Sequence, residues 1–172
     1  VHYEEVGNVY TRIGNPTVDL LGRRVADLDG GSAGVAVGSG MAAVTYTLSA
    51  LTNIGDHIAV SPFVYGGSYD SFGKTLKRLG VSVDVACSPT PEGIEASITD
   101  KTKLVFVESI SNPLTYVANI EGIAKVAHAH GIPLVVDNSL ATPYLIKPIE
   151  FGADVVVYSA TKGLSGHGNV IA

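Results

Sequence analysis

Two charged residues stand where apolar runs end. Lys162 follows Val155–Val157 and Tyr158 through Ser159, Ala160 and Thr161, just before a stretch broken by glycines, and Asp137 closes the run Leu134–Val136 ahead of Asn138, Ser139 and Thr142. An ammonium at the mouth of a strand can simply reach water. An aspartate after a strand can cap a turn through Ser139 or Thr142. Each placement also suits chemistry, because a pocketed lysine adds to carbonyl carbons and a desolvated carboxylate demands a cationic or hydrogen-bonding partner.

Other strand ends supply further parts. In VAVGSGMAAV (35–44) a turn of small residues leads into a helix, so backbone N–H groups near Gly40 and Met41 would face an anion such as phosphate. The same turn matches a dinucleotide fingerprint, although the next strand ends in Ser61–Pro62 rather than an acid, and it also serves as a plain packing turn. Asn112 before Pro113 is a turn residue or a donor to a ligand, and Tyr65 is a stacking ring or a core side chain. One cofactor uses the whole set. Pyridoxal 5′-phosphate (PLP) has a phosphate for the glycine turn and the hydroxyls of Ser159 and Thr161, an aldehyde for Lys162, and a ring nitrogen that Asp137 would keep protonated.

Elements that would position these groups are legible between them. The short apolar runs 33–37, 57–61, 81–86, 103–108, 133–138 and 154–159 alternate with helical patterns, which predicts an α/β fold with a mainly parallel sheet flanked by helices. Asn15–Pro16 and Gly30 bracket a helix whose stripe is Val18, Leu21, Val25 and Leu28; a second ends at Gly80, and a third covers 120–130. Such sheets bind ligands at the carboxyl ends of their strands. With 172 residues, 46% of them hydrophobic, the chain can bury one core, and its net charge of −5 offers no general attraction for nucleic acid or anionic membranes. The single Cys87 reads as a core residue at a strand end; it excludes an internal disulfide and fits a cytoplasmic setting.

The motifs YTRIGNPT (10–17), GSGMAA (38–43), YGGSY (65–69), ESISNP (108–113), VVDNSLATPY (135–144) and YSATKGLSGHG (158–168) resemble, in order and spacing, the Cys/Met-metabolism family of PLP enzymes. The resemblance implies the PLP-binding large domain of the fold type I, aspartate-aminotransferase-like architecture. Lys162 would carry the cofactor, Asp137 would pair with its ring nitrogen, Tyr65 would stack on the ring and Asn112 would contact the ring oxygen. Gly40, Met41, Ser159 and Thr161 would hold the phosphate. Tyr10 and Arg12 would reach the phosphate of a neighbouring subunit, so residues 1–30 are expected to serve another subunit's site and 31–172 to form the PLP domain, in a homo-oligomer that is a dimer of dimers.

The resemblance favours γ-replacement on a homoserine ester by a thiol or sulfide, as in an O-acetylhomoserine sulfhydrylase. Methionine or cystathionine γ-lyase and cystathionine γ-synthase are its alternatives, and a non-catalytic cofactor-domain fragment is the alternative of another class. None of Arg12, Arg23, Arg24 and Arg78 matches the family's substrate-carboxylate arginine, which belongs to a carboxyl-terminal domain, and the chain is therefore expected to be a fragment. Gly67 stands where methionine γ-lyases carry a cysteine. No metal is expected, since His128 and His130 lie two apart on a helix and would face different ways. His167 is expected to serve its own glycine-flanked turn.

Overall fold

Pro16 follows Asn15, whose side-chain oxygen accepts from the N–H groups of Thr17 and Val18; the helix so started, α1 (Pro16–Asp29), ends at Gly30 in the left-handed conformation. The computed structural model describes residue 7 and residues 9–172. The buried side of α1 is Gly22, Ala26 and Asp29, while Val18, Leu21 and Leu28 of the expected stripe stand exposed. At Gly22 its contact surface is backbone. A Cβ on Gly22 would lie 2.4 Å from the Gly34 carbonyl oxygen, so the helix packs there only because both positions are glycine.

Five strands, β1 (His57–Val60), β2 (Ser82–Val85), β3 (Thr102–Glu108), β4 (Leu134–Asp137) and β5 (Val155–Val157), form one parallel sheet in the order β2-β1-β3-β4-β5. Parallel neighbours require crossovers. These are α3 (Gly66–Asp70), which runs on into a π-helical stretch Ser71–Leu76, then α4 (Pro91–Glu95), α5 (Ile120–Ala129), and α6 (Thr142–Leu145) with a 3-10 turn at Pro148–Phe151. Strand side chains alternate between two cores. Ile58, Val60, Leu104, Phe106 and Val135 pack with Val44 and Leu48 of α2 (Gly40–Leu51) and with Phe72 and Leu76, while Ala59, Val105, Val107 and Val136 pack with Ile94, Ile123 and Ala127.

Residues 33–37 form no strand, contrary to the sequence expectation. Gly34 is held against α1, and a cavity of about 520 Å³ separates the segment from the edge strand β5, so no ladder can close between them. Cys87 is likewise not a core residue; it lies beyond the end of β2 and is exposed.

Candidate active site

Because all five strands run the same way, the loops after β1, β3, β4 and β5 meet the start of α2 at one edge of the sheet. A cavity of about 620 Å³ opens there. It is lined by Gly40, Met41, Tyr65, Asn112, Asp137, Ser159, Thr161 and Lys162, residues drawn from widely separated motifs. Tyr10 and Arg12 are not among its lining residues; they lie exposed ahead of α1, with the Arg12 guanidinium 5.4 Å from the centre of the Tyr10 ring. Glu4 and Glu5, acids with which Arg12 could instead pair inside its own chain, fall outside the described residues.

An anion would find donors at the α2 end. Ser39 caps that helix, its Oγ accepting from the Ala42 N–H at 3.1 Å, and the N–H groups of the first turn have no partner within the helix. A Cβ on Gly40 would sit 2.6 Å from that of Ser159, so the glycine is what lets the helix start lie against the residues after β5. Backbone donors and hydroxyls are thereby gathered in one place, a donor set that fits a phosphate. The hydroxyls are engaged within the chain: Thr161 Oγ1 donates to the Ala172 carbonyl at 3.1 Å, and Ser159 Oγ lies 3.5 Å from the same oxygen.

Two carboxylates face each other across neighbouring strands, Glu108 ending β3 in register with Asp137 ending β4. Asp137 Oδ1 accepts from the Ser139 N–H at 2.9 Å, which is the turn-capping bond expected of an aspartate after a strand. Desolvation nevertheless pushes its carboxyl above the usual range, with hydrogen bonds from Ser139 only partly opposing the rise. Glu108 is pushed up to about 7, first by desolvation, against the pull of backbone N–H groups from Tyr65 and Asn112, with Asp137 adding repulsion. Among the described residues neither acid has a lysine, arginine or histidine nitrogen within 4.0 Å. A cationic ring nitrogen suits such a place.

Behind the cavity runs a buried polar chain that sequence reasoning missed. Ser109 Oγ donates to Asn138 Oδ1 at 2.6 Å, Asn138 Nδ2 donates to the Ile146 carbonyl and to the Tyr158 hydroxyl, both at 2.9 Å, and Tyr158 donates to Asp29 at 2.7 Å. Burial raises the Asp29 carboxyl. The chain fixes the ends of β3, β4 and β5 against α1 and so holds Asp137 and Ser159, one residue to either side, in place. A polar residue beside each expected site residue was the available signal.

The histidines point elsewhere. His128 and His130 face separate carboxylates, Asp154 at 2.9 Å and Glu95 at 3.7 Å. The His167 Nδ1–H donates to the Ser165 carbonyl inside its own turn.

Fold and cavity together describe the large domain of a fold type I PLP enzyme. The chain belongs to the Cys/Met metabolism PLP-dependent enzyme family, whose model matches residues 1–172. Its cofactor is PLP, which decides the question left open at Gly38–Ser39–Gly40 against a dinucleotide. It is 49% identical over 169 residues to Sulfhydrylase FUB7 of Fusarium oxysporum f. sp. lycopersici, covering 98% of this chain and 39% of that protein. With the L-methionine gamma-lyase of Pseudomonas putida it shares 43% over 169 residues, 98% of this chain and 42% of the other. A crystal structure of a protein described as an O-acetylhomoserine (thiol)-lyase from Campylobacter jejuni, containing a pyridoxyl-lysine monophosphate, superposes with a TM-score of 0.94 at 40% identity, over 98% of this chain and 42% of that one. The chain spans about two fifths of the length of the curated relatives it matches.

Proposed function

We propose that the protein catalyses γ-replacement on a homoserine ester, a sulfide or thiol forming a bond to Cγ as the whole acyloxy group leaves as its carboxylate, in the manner of an O-acetylhomoserine sulfhydrylase. The observation that carries this reading is the single cavity in which Lys162, Asp137 and the glycine-started α2 converge. When bound, PLP supplies an electron sink for the negative charge left on the substrate. The Lys162 Nζ holds the cofactor until substrate arrives and then takes the proton from the substrate's Cα as general base. Asp137, with no cation beside it among the described residues, would keep the proton on the ring nitrogen. Tyr65 would stack on the ring and Asn112 would donate to its oxygen; both line the cavity. Gly40 and Met41 give backbone donors to the phosphate, and Ser159 and Thr161 give hydroxyls.

Gly67 favours a sulfhydrylase over a methionine γ-lyase, since the resemblance places a cysteine there in the lyases. Assays of the full-length protein with O-acetylhomoserine, O-succinylhomoserine, cystathionine and methionine test the choice. Homocysteine formed from O-acetylhomoserine and sulfide is expected. Keto acid and ammonia from methionine would replace this reading with the lyase, and bound PLP without turnover of any of the four would leave a binding fragment.

The same reading makes residues 31–172 the PLP domain and has residues 1–30 contribute to a neighbouring subunit's site, within a dimer of dimers in the cytoplasm. Support comes from the position of Tyr10 and Arg12 away from their own chain's cavity and from the exposed Ile13, Leu20, Leu21 and Leu28, an apolar surface suited to a second copy. Mixing full-length Arg12→Ala and Lys162→Ala chains, each nearly inactive, should restore activity, because one site of a mixed dimer then keeps both intact residues. Mixed dimers without recovery would reject the shared site.

A further inference from the structure

We propose that Glu108 is a positioning residue for the cofactor ring: its carboxylate ties the backbone of Tyr65 to that of Asn112 and thereby sets the slot between them. The proposal deepens the reading of the cavity as a PLP site and rests on it. Glu108 Oε1 accepts the Tyr65 N–H, and Oε2 accepts the Asn112 N–H at 3.0 Å. Tyr65 lies 43 residues before Glu108, in the loop after β1, whereas Asn112 lies four residues after it, in the turn after β3. The bonds therefore bridge β1 and β3, where the sheet changes its direction of growth and a parallel sheet opens its ligand crevice.

A carboxylate is a costly way to join two loops. Glu108 is only 7% exposed and has the acid Asp137 as its strand neighbour. Neutral groups make comparable ties nearby, as Ser111 Oγ does in accepting the Tyr116 N–H at 3.0 Å. A glutamine could not replace the acid here, because its amide has one acceptor oxygen and both N–H groups need one. An ionised carboxylate offers an acceptor to each on a single planar group, with stronger bonds than a neutral one. Burial drives its carboxyl up to about 7 and those two N–H groups draw it down, so the full tie belongs to the ionised form. The Tyr65 side chain is itself 48% exposed and borders the open backbone of Gly67; anchoring its backbone leaves the ring only its own torsions.

The test compares full-length wild-type, E108Q, Y65A and the double variant, each loaded with PLP. The readouts are the rate of PLP release on dilution, the circular dichroism of the bound cofactor, and the pyridoxyl label left on Lys162 by borohydride. E108Q should release PLP roughly ten-fold faster, as for one lost charge-assisted hydrogen bond, with a changed dichroism band. Y65A should also speed release. In the double variant the two effects should fall short of multiplying, because the Tyr65 half of the tie then has no ring to position. Should E108Q fail to fold, Glu108→Asp provides the same comparison, being charged but one methylene too short to reach both donors. Multiplying effects, or wild-type release and dichroism in E108Q, would overturn the role of Glu108 while the labelled wild type keeps the PLP reading intact. A wild type without label on Lys162 would overturn both.

Discussion

At the amino ends of the strands, ionisable groups sit beside groups that answer them: Asp56 accepts from the Asn53 N–H at 2.7 Å and lies 3.9 Å from Lys103, and His57 lies between Thr102 at 2.8 Å and Asp84 at 3.4 Å. At the carboxyl ends Glu108 and Asp137 are desolvated side by side, and the N–H groups that reach them leave both carboxyls raised. The amino end is arranged for stability. The other end keeps two desolvated acids side by side, a costly arrangement that suits a site where a cation binds. Substitutions at the two ends should therefore separate cleanly, those at the carboxyl end affecting cofactor and turnover and those at the amino end affecting folding.

The largest effect belongs to Lys162. Lys162→Ala in the full-length protein should lower turnover at least ~10³-fold, since both the attachment point and the general base are lost. Borohydride should then leave no label on the tryptic peptide that carries it in wild type, and label on any other lysine would break the assignment. Asp137→Asn comes next. It keeps the shape and the turn but removes the charge opposite the ring nitrogen, so kcat should fall about 10²–10³-fold, about 3–4 kcal/mol, with PLP still bound. Near-normal turnover in that variant would make Asp137 no more than a turn cap.

These two residues were legible because each is a charge at the end of an apolar run, a local feature with a definite cost. The caps of α1 were legible for the same reason: Asn15, Pro16 and Gly30 act on their own neighbours. What escaped is set by distant contacts. Val18, Leu21 and Leu28 have helical spacing, yet the packed side is Gly22, because what covers a helix is decided by Gly34 and not by the helix. Residues 33–37 have strand composition without a strand to pair with. Glu108 ends an apolar run as Asp137 does, but one of its two donors, Tyr65, lies 43 residues away and could not be assigned before the sheet order was known.

The raised Glu108 carboxyl sharpens the comparison through pH. With its value near 7 in the folded chain and 4.5 as the ordinary one, the folded form holds more protons than the unfolded form between them. Stability in the absence of cofactor is thus greatest below pH 4.5 as far as this group is concerned, and falls as pH rises through 7, by at most about 3 kcal/mol at 1.36 kcal/mol per pH unit. Urea unfolding of cofactor-free full-length wild type and E108Q across that range should show the difference between them changing with this sign. A constant difference would show that Glu108 does not bind a proton there.

The smallest functional effect is expected from His57, which is buried at the far end of the sheet. Thr102 Oγ1 accepts the Thr99 N–H at 2.7 Å and lies within hydrogen-bond distance of His57 Nδ1, at 2.8 Å. Its Nε2 looks toward Asp84 Oδ2 3.4 Å away without a hydrogen bond in good geometry. His57→Ala removes both contacts and the ring that fills the space between β2 and β3, neighbours of β1 on either side. Loss of a buried hydrogen bond of this kind costs about 1–3 kcal/mol of stability. The carboxyl ends of the same strands lie a full strand length away and share no hydrogen bond with His57, so PLP release and kcat should stay within roughly twofold of wild type, as for independent sites. Urea unfolding and PLP release measured on the same full-length variant decide the matter. A variant that unfolds more easily yet holds its cofactor normally keeps the two ends distinct, whereas a loss of cofactor affinity as large as that of E108Q would show that the sheet couples them.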